Sequence, residues 1–368
     1  MSRPKRCCWI CIKKVPANCT FTESMRQQLQ QFLRHENRLV FCLCLALLFG
    51  LAYSEMASFN LQASVDQKTY WGLAHFDFEQ VVVRKYRVII PFMAAGINHG
   101  FLFLVHLVRP GALSGDFSLR FTFFILNLFF SALWCTLIFA YLRSLECSKI
   151  AAFIGTLMVV TCKWTLINAG TPMVDALYCC TLGFAFLGIS QRNARMIFWA
   201  IIIGPFAKES FLFMLPVIFI ASHVPKWKLL CWFALSGILV FCFRYGFDQL
   251  TGHPMEQSLA ADARHFTYLR SNFSRLFQIG YLNDIIATIG LWFFVPVTAI
   301  YLQQGFGRTL RQYVRWYMLL WCAMVFLQMC LSGDMARMLY LIMPVYAWIV
   351  ALPIDALRYQ LGKRSINL

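Results

Sequence analysis

The sequence has few charged residues, and this scarcity excludes an ordinary soluble domain. Only 13% of its 368 residues are Asp, Glu, Lys or Arg, while 60% are hydrophobic and the mean hydropathy is +0.62. Soluble domains contain about 25% charged residues. Many Trp and Tyr residues fall near the ends of apolar stretches, where amphipathic rings prefer to lie in a membrane. The composition therefore predicts an integral, multi-pass membrane protein.

Acidic residues are the scarcer charged class, with 16 Asp and Glu against 33 Lys and Arg and a net charge of +17. No soluble basic domain accompanies the excess, so no nucleic-acid partner is predicted. Lys and Arg instead concentrate in short turns between apolar stretches. This pattern is typical of loops that stay in the cytoplasm and contact anionic lipid headgroups, and membrane lipids are the expected partners there.

The sequence also lacks the spacing of a metal site. Cys8 and Cys11 form a C-x-x-C pair, but no second pair follows at zinc spacing; palmitoylation of this basic segment is an alternative. Most other Cys residues lie in apolar stretches, where they act as small hydrophobic residues. The His residues show no ligand spacing, so no His-based metal site is predicted.

Neither an internal repeat nor a cleavable signal peptide is recognisable. Residues 1–38 are polar and basic for too long, and no small-residue cleavage site follows the first apolar run. We expect a cytoplasmic segment 1–38, a transmembrane domain 39–356 with an outer loop 55–119, and a cytoplasmic tail 357–368. The fold class is predicted to be all-α, a polytopic transmembrane helical bundle with about eight full spans. The apolar stretches that predict these spans are 39–57, 120–142, 150–168, 172–190, 227–245, 283–303, 314–331 and 338–356.

Two further apolar segments are not expected to cross the membrane. If residues 88–107 crossed, the later basic turns would fall on the outer face, so we expect an interfacial or re-entrant helix there. Residues 196–225 are predicted to form a broken hairpin that turns at Lys208 and Glu209, because each arm is shorter than the roughly 20 residues of a span. Both termini then lie in the cytoplasm. The basic turns predicted to be inside contain Arg143 and Lys149, Arg192 and Arg195, Lys226 and Lys228, and Arg308, Arg311 and Arg315.

With this topology, the few charges beside the apolar stretches gather on the outer face. A charge near the bilayer centre costs about 2.5–3.5 kcal/mol on insertion scales, so one that persists is a candidate for function. In the first outer loop, Asp66 and Asp77 are each candidates for the general base that activates an acceptor hydroxyl. The sequence does not require a cofactor, and a divalent cation bound by these carboxylates is an alternative that it leaves open.

The same loop contains residues suited to bind a phosphate and a sugar. Arg84, Lys85 and Arg87 could clamp a phosphate, since guanidinium groups match its oxygens. Tyr70 and Trp71 are candidates to stack on a sugar ring. The alternative is a solvated loop whose basic residues contact lipid headgroups.

Three later clusters supply candidate binding residues, and each has a simpler structural explanation. Asp175 opens an apolar stretch, where a carboxylate at a helix start is favoured by the helix dipole. Lys208 and Glu209 could neutralise each other at the hairpin turn. Asp334 and Arg337 could be an ordinary pair at the start of the last span.

The order of these pieces resembles the GT-C-fold membrane glycosyltransferases that use polyprenyl-phosphate-linked sugars. The resemblance covers residues 39–356 as an ordered set of weak motifs. Asp66 and Asp77 stand apart rather than as a tight acidic pair, and no large soluble C-terminal domain is present. The segments that carry the resemblance are DQKTYWGLAHF with YRVIIPFMAAGI, WTLINAGTPMVDALYCCTLGFAFL, GPFAKESFLFMLPV and ARMLYLIMPVYAWIVAL.

This resemblance implies an enzyme that moves a sugar from a polyprenyl-phosphate donor to a glycan, lipid or protein acceptor on the periplasmic or lumenal face. A bacterial inner membrane is favoured over the endoplasmic reticulum. Two other functions stay open. A transporter or lipid flippase would also break a helix at a binding site, although no inverted repeat is visible, and a non-catalytic assembly subunit would not need the outer charges.

Overall fold

The computed structural model describes residues 23–58, 60, 64–80, 84–108, 115–252, 268–302 and 306–366. Every regular element in these ranges is an α-helix or a 3-10 helix, which confirms the predicted all-α fold. The chain divides into a first unit, Met1–Leu39, and a second unit, Val40–Leu368, which contains all the candidate site residues. The Cys8–Cys11 pair and residues 253–267 lie outside the described residues.

The described residues between Glu23 and Thr251 form ten α-helices, with one 3-10 turn between the eighth and the ninth. Helix α4 packs against α3, α5, α6 and α7, and α8 packs against α7 and α10, so α4 and α7 form the centre of the bundle. These helices are α1 (Glu23–Ser58), α2 (Val65–Ala74), α3 (Ile89–Val108), α4 (Gly115–Ser144), α5 (Lys149–Val160), α6 (Lys163–Gly170), α7 (Asp175–Ser190), α8 (Ala194–Ala207), α9 (Leu215–Ala221) and α10 (Lys226–Thr251).

The described residues from Tyr268 onward complete the bundle. The last helix returns to pack against α5, and the short helix before it contacts the helix that begins at Ile279. The helices are α11 (Tyr268–Arg275), α12 (Ile279–Ile289), α13 (Phe294–Leu302), α14 (Phe306–Tyr313), α15 (Trp316–Leu331), α16 (Met335–Leu339) and α17 (Met343–Ile366).

Several helices have the length and composition of membrane spans, as the hydropathy predicts. Among the described residues, five pass this test, and a sixth is added if the bent pair α5 and α6 is one span. The chain is therefore a membrane protein by the character of its helices, and the count of eight spans stays a prediction. The five are His35–Ser58, Asp116–Ser144, Lys226–Thr251, Ile279–Leu302 and Met335–Leu357.

The central packing depends on small residues at close helix contacts. A Cβ atom added at Gly183 of α7 would lie 2.9 Å from the Cβ of Leu137 on α4. An added Cβ at Gly155 of α5 would lie 2.8 Å from the backbone oxygen of Ala347 on α17. Glycine at such contacts lets the helix backbones approach closely, as is common between helices in membranes.

The helical path is interrupted at Lys208, where the sequence predicts a turn. Helix α8 ends at Ala207, and Lys208 has an extended backbone with φ −163° and ψ 133°. Pro205 and the packing of the Phe211 ring on Gly204 accompany the interruption. A 3-10 turn, Glu209–Met214, then leads into α9. The interruption places both charged residues at helix ends rather than within a span.

The segment predicted at 88–107 forms one continuous helix, α3, over Ile89–Val108. Ile90, Ala94 and Ala95 are buried on the side of the helix that packs on α4 and α2. Phe103 on the other side is 65% exposed. One side of the helix is thus buried in the protein and the other is exposed. Its interfacial placement in the membrane stays a prediction.

Candidate functional site

The candidate site is built around the guanidinium group of Arg337, which binds two carboxylates from distant parts of the chain. Its Nη1 donates to Asp66 and its Nη2 donates to Asp175. Arg337 lies in α16, Asp66 in the first turn of α2, and Asp175 is the first residue of α7. One side chain therefore joins three helices. Asp66 and Asp175 are buried, and Arg337 is 9% exposed.

Two further cations complete the coordination of these carboxylates. The ammonium group of Lys208 donates to Asp175 over 2.6 Å, and Arg84 forms an ion pair with Asp66. Lys208 is buried and also lies 5.6 Å above the centre of the Tyr178 ring. Asp66 and Asp175 are thus each held between two positive side chains.

A neighbouring pair extends this arrangement. Arg87 binds Glu209 through two hydrogen bonds, one of which joins Nε to Oε2 over 3.0 Å. The Nη1 of Arg87 also donates to the hydroxyl of Tyr70 over 2.7 Å. Tyr70 lies one helical turn after Asp66 in α2 and is fully buried. We call the set Asp66, Tyr70, Arg84, Arg87, Asp175, Lys208, Glu209 and Arg337 the central network.

Helix ends explain why these charges tolerate burial. Asp66, Asp175 and Glu209 each lie in the first turn of their helix, where the helix dipole favours a negative charge. Four cationic side chains face three carboxylates in the central network, which leaves one positive charge in excess. The arrangement is therefore suited to take up an additional anion.

The electrostatic environment keeps Asp66 ionised. Burial alone raises the pKa of this carboxyl, but the charges of Arg337 and Arg84 outweigh burial and hold the pKa below its usual value. Burial raises the pKa of the Tyr70 phenol, with the charge of Arg87 opposing this, so Tyr70 stays a neutral partner of Arg87. A carboxylate held in this way by two Arg side chains is a weak base while both remain in place.

A second buried group lies beside the central network and contains residues that the sequence analysis did not single out. Lys85, itself buried, donates to Asp248 over 2.6 Å, and the hydroxyl of Tyr86 donates to the same carboxylate. Arg244 lies 4.6 Å above the Tyr86 ring. Asp248 and Arg244 are on α10, so this group fastens the segment that contains Lys85 and Tyr86 to that helix. In the sequence, the one signal for Asp248 is that it is an isolated acid just after the apolar stretch 227–245.

Besides Lys85, two predicted site residues are not part of the central network. Asp77 is exposed, and its carboxylate accepts hydrogen bonds from the Glu79 backbone and the Gln80 side chain, over 3.0 and 2.6 Å. Asp334 is also exposed and accepts from the backbone N–H of Arg337 over 3.1 Å, which caps α16. For Asp334 the helix-start interpretation describes the observed contact, whereas the Arg337 side chain belongs to the network.

Other expectations need correction because the side chains have different partners. Lys208 and Glu209 do not neutralise each other, since they bind Asp175 and Arg87. Arg84, Lys85 and Arg87 do not form a free phosphate clamp, because each pairs with a different carboxylate.

The aromatic residues of the outer loop are also engaged within the protein. Tyr70 is 0% exposed, which leaves no ring face for a sugar in this conformation. Trp71 stacks on Phe123 of α4, with 6.2 Å between ring centres. Both rings therefore support the loop against the bundle.

A cation site does not emerge from the geometry. Among the described residues, no group of three or more His, Cys, Asp and Glu side chains is placed to bind a metal ion.

Arg337 has one further polar atom, Nε, which is buried and has no hydrogen-bond partner among the described residues. The network thus offers a buried donor that a bound anion or water can satisfy.

No protein-family model, curated protein or solved structure matches this chain.

Proposed function

We propose that this protein is a membrane glycosyltransferase that moves a sugar from a polyprenyl-phosphate donor to an acceptor on the outer face. The supporting observation is the central network, which brings together carboxylates and cationic side chains from four separate segments and has one cation in excess. A donor of this class needs a cationic site for its phosphate and a carboxylate beside the reacting sugar carbon. Both kinds of group are present within one cluster.

Arg84 is the natural point of entry for the donor phosphate. Its side chain is 32% exposed, compared with 10% for Arg337 and 4% for Lys208. A phosphate that binds Arg84 and the unpartnered Nε of Arg337 competes with Asp66 for both guanidinium groups. Guanidinium groups bind phosphate through paired hydrogen bonds, so this exchange preserves their contacts.

Donor binding would also activate the base. When the two Arg side chains turn toward the phosphate, the charges that lower the pKa of Asp66 are removed, and burial then raises it. Asp66 can accept the proton of the acceptor hydroxyl, whose oxygen forms a bond to the anomeric carbon. The bond from that carbon to the phosphate oxygen breaks, and the lipid phosphate leaves with the electron pair. The cations stabilise the departing charge, and the sugar configuration inverts.

The test is a transfer assay with the purified full-length chain, labelled polyprenyl-phosphate sugars and a mixed acceptor extract. Asp66→Asn is expected to lower the rate of lipid-phosphate release by about 100-fold or more, the usual range for a general base. Asp77→Asn, which removes an exposed acid of the same loop, should retain activity. Transfer by Asp66→Asn at the wild-type rate would exclude Asp66 as the base.

A lipid carrier is the second candidate, because two helical paths are interrupted. One break is at Lys208, and another bends α5 and α6 by 61°. Transporters also break helices at their binding sites. In proteoliposomes, a carrier would move fluorescent polyprenyl phosphate between leaflets without releasing sugar. Leaflet exchange that requires Lys208, with no sugar transfer to any acceptor, would replace the glycosyltransferase proposal.

A further inference from the structure

A cavity of about 400 Å³ lies at two helix interruptions, and its lining contains none of the central-network residues. One interruption is the bend at Thr161 and Cys162 between α5 and α6. The other is at Gly290, where α12 ends and the backbone has a φ of +65°. The volume falls within the range of about 300–1,000 Å³ that is typical of small-molecule sites.

Side-chain contacts fasten the two interruptions to each other. The indole N–H of Trp292 donates to the Thr161 hydroxyl over 2.9 Å, and the Cys162 thiol donates to the backbone oxygen of Thr288 over 2.9 Å. Tyr346 of α17 donates to the backbone oxygen of Trp292 over 3.2 Å. Broken helices persist in membranes where they line a cavity inside the protein. Hydrogen bonds therefore hold the two breaks together in one wall of the cavity.

The cavity wall contains one acidic and one basic side chain, and no ion pair joins them in the described residues. Glu55 of α1 is half-buried and Lys163 of α6 is exposed. Among the residues that the structure describes, no hydrogen bond or ion pair engages either side chain. A carboxylate and an ammonium group on one wall are complementary to a ligand that has a positive and a negative charge.

The position of the cavity indicates where such a ligand would come from. Glu55 lies near the end of the candidate span His35–Ser58, the level at which lipid headgroups begin. Trp292 is of the residue type that prefers this interface. Leu291 on the cavity rim is 83% exposed, which offers an apolar surface to an acyl chain.

We propose that this cavity binds the phosphoethanolamine headgroup of a phospholipid. The ligand's ammonium group binds Glu55, its phosphate binds Lys163, and its acyl chains extend over Leu291. The indole N–H of Trp292 is already occupied by Thr161, so the ring presents its face rather than a donor. This site is independent of the sugar-transfer proposal, because it shares no residue with the central network.

The experiment measures lipid binding to the full-length protein in detergent by native mass spectrometry. The probes are short-chain phosphatidylethanolamine, phosphatidylglycerol, and soluble glycerophosphoethanolamine. The wild-type protein should retain phosphatidylethanolamine most tightly. Glu55→Gln should reduce that affinity on the order of tenfold, to the level of phosphatidylglycerol, because a hydrogen-bonded charge partner is lost. Lys163→Gln should weaken both phospholipids.

Matched controls separate the site from general surface charge. Glu79→Gln and Lys228→Gln remove an exposed acid and an exposed base away from the cavity and should leave the preference unchanged. Ala287→Trp fills the cavity without changing charge and should abolish the preference, while an unchanged melting temperature shows that the variant folds.

Three outcomes would overturn the proposal. The first is equal retention of the two phospholipids by the wild-type protein. The second is an unchanged preference in the Glu55→Gln, Lys163→Gln double variant. The third is equal affinity for glycerophosphoethanolamine, which would show that a soluble zwitterion is the ligand rather than a lipid.

Discussion

At the residue scale, Arg337 joins the two buried acids of the central network, since it binds both Asp66 and Asp175. In the Arg337→Gln variant, Asp66 and Asp175 stay buried and each loses one cationic partner. Removing one partner of a buried ion pair costs about 3–5 kcal/mol, so we expect the free energy of unfolding to fall by this amount. Chemical denaturation of the protein in detergent would measure it.

The neighbouring acid provides the control for this variant. Asp334→Asn keeps the helix cap, because Asn and Asp are about equally good at that position, so the free energy of unfolding should stay near the wild-type value. If Arg337→Gln were as stable as Asp334→Asn, the buried network would not stabilise the fold.

The response to acid is the second prediction at this scale. The pKa of Asp66 is lower in the folded than in the unfolded chain, so its ion pairs stabilise the fold fully above the unfolded value of about 4. This contribution is lost as the pH falls through the lower, folded pKa. Asp66→Asn should therefore lose less stability than the wild-type protein on acidification to that range, as measured by melting temperature. Asp77→Asn should follow the wild-type curve, and a matching curve for Asp66→Asn would contradict the assignment.

At the scale of elements, the close contact of α5 and α17 is open to test. Gly155→Ala places a Cβ against the backbone of α17, which can move only if the two helices separate. Overpacking of this kind costs about 1–3 kcal/mol. The unfolding midpoint in detergent should therefore fall.

Gly237→Ala on α10 is the matched control, because an added Cβ there meets nothing within 4 Å. Helix propensity then favours Ala by about 0.8–1.0 kcal/mol, so the midpoint should stay the same or rise. A midpoint that is equally lowered in both variants would show that close packing at Gly155 is not the cause.

The attachment of the outer loop to α10 gives a further prediction. Lys85→Met and Asp248→Asn each leave a buried partner unsatisfied, so each single variant should be destabilised. The double variant should lose less than the sum of the two, because neither uncompensated charge remains. Unfolding of the four proteins would give the coupling energy, and strict additivity would exclude a direct interaction.

The sequence predicts elements better than partners. The apolar stretches and the charged break at Lys208 follow from local composition, and most stretches coincide with helices. The stretches 150–168 and 283–303 were predicted as continuous spans, but the structure interrupts them after Val160 and at Gly290. The pairing of Lys85 with Asp248 joins residues 163 positions apart, which no local pattern encodes. Asp66 and Asp77 looked alike because both are acids in a polar loop. Only tertiary packing buries Asp66 and leaves Asp77 in solvent.

At the scale of the whole molecule, charged residues from four sequence segments meet in one place. Asp66, Asp175, Lys208 and Arg337 are in direct contact through their side chains. The proposed outer location of this group depends on residues 88–107 not crossing the membrane. Helix α3 has 20 residues, which is about the length of a span, so its interfacial placement rests on the charge pattern of the later turns.

The link between Asp66 and Arg337 also has a consequence for biosynthesis, because the two residues are 271 positions apart. The ribosome makes Asp66 and Asp175 long before it makes α16, so neither acid has its shared cation until the last helices are made. A chain that stops after Leu331 should be degraded rapidly in a pulse-chase experiment, and co-expression of residues 332–368 should slow its loss. The contact that joins α2 and α7 to α16 therefore forms only at the end of synthesis.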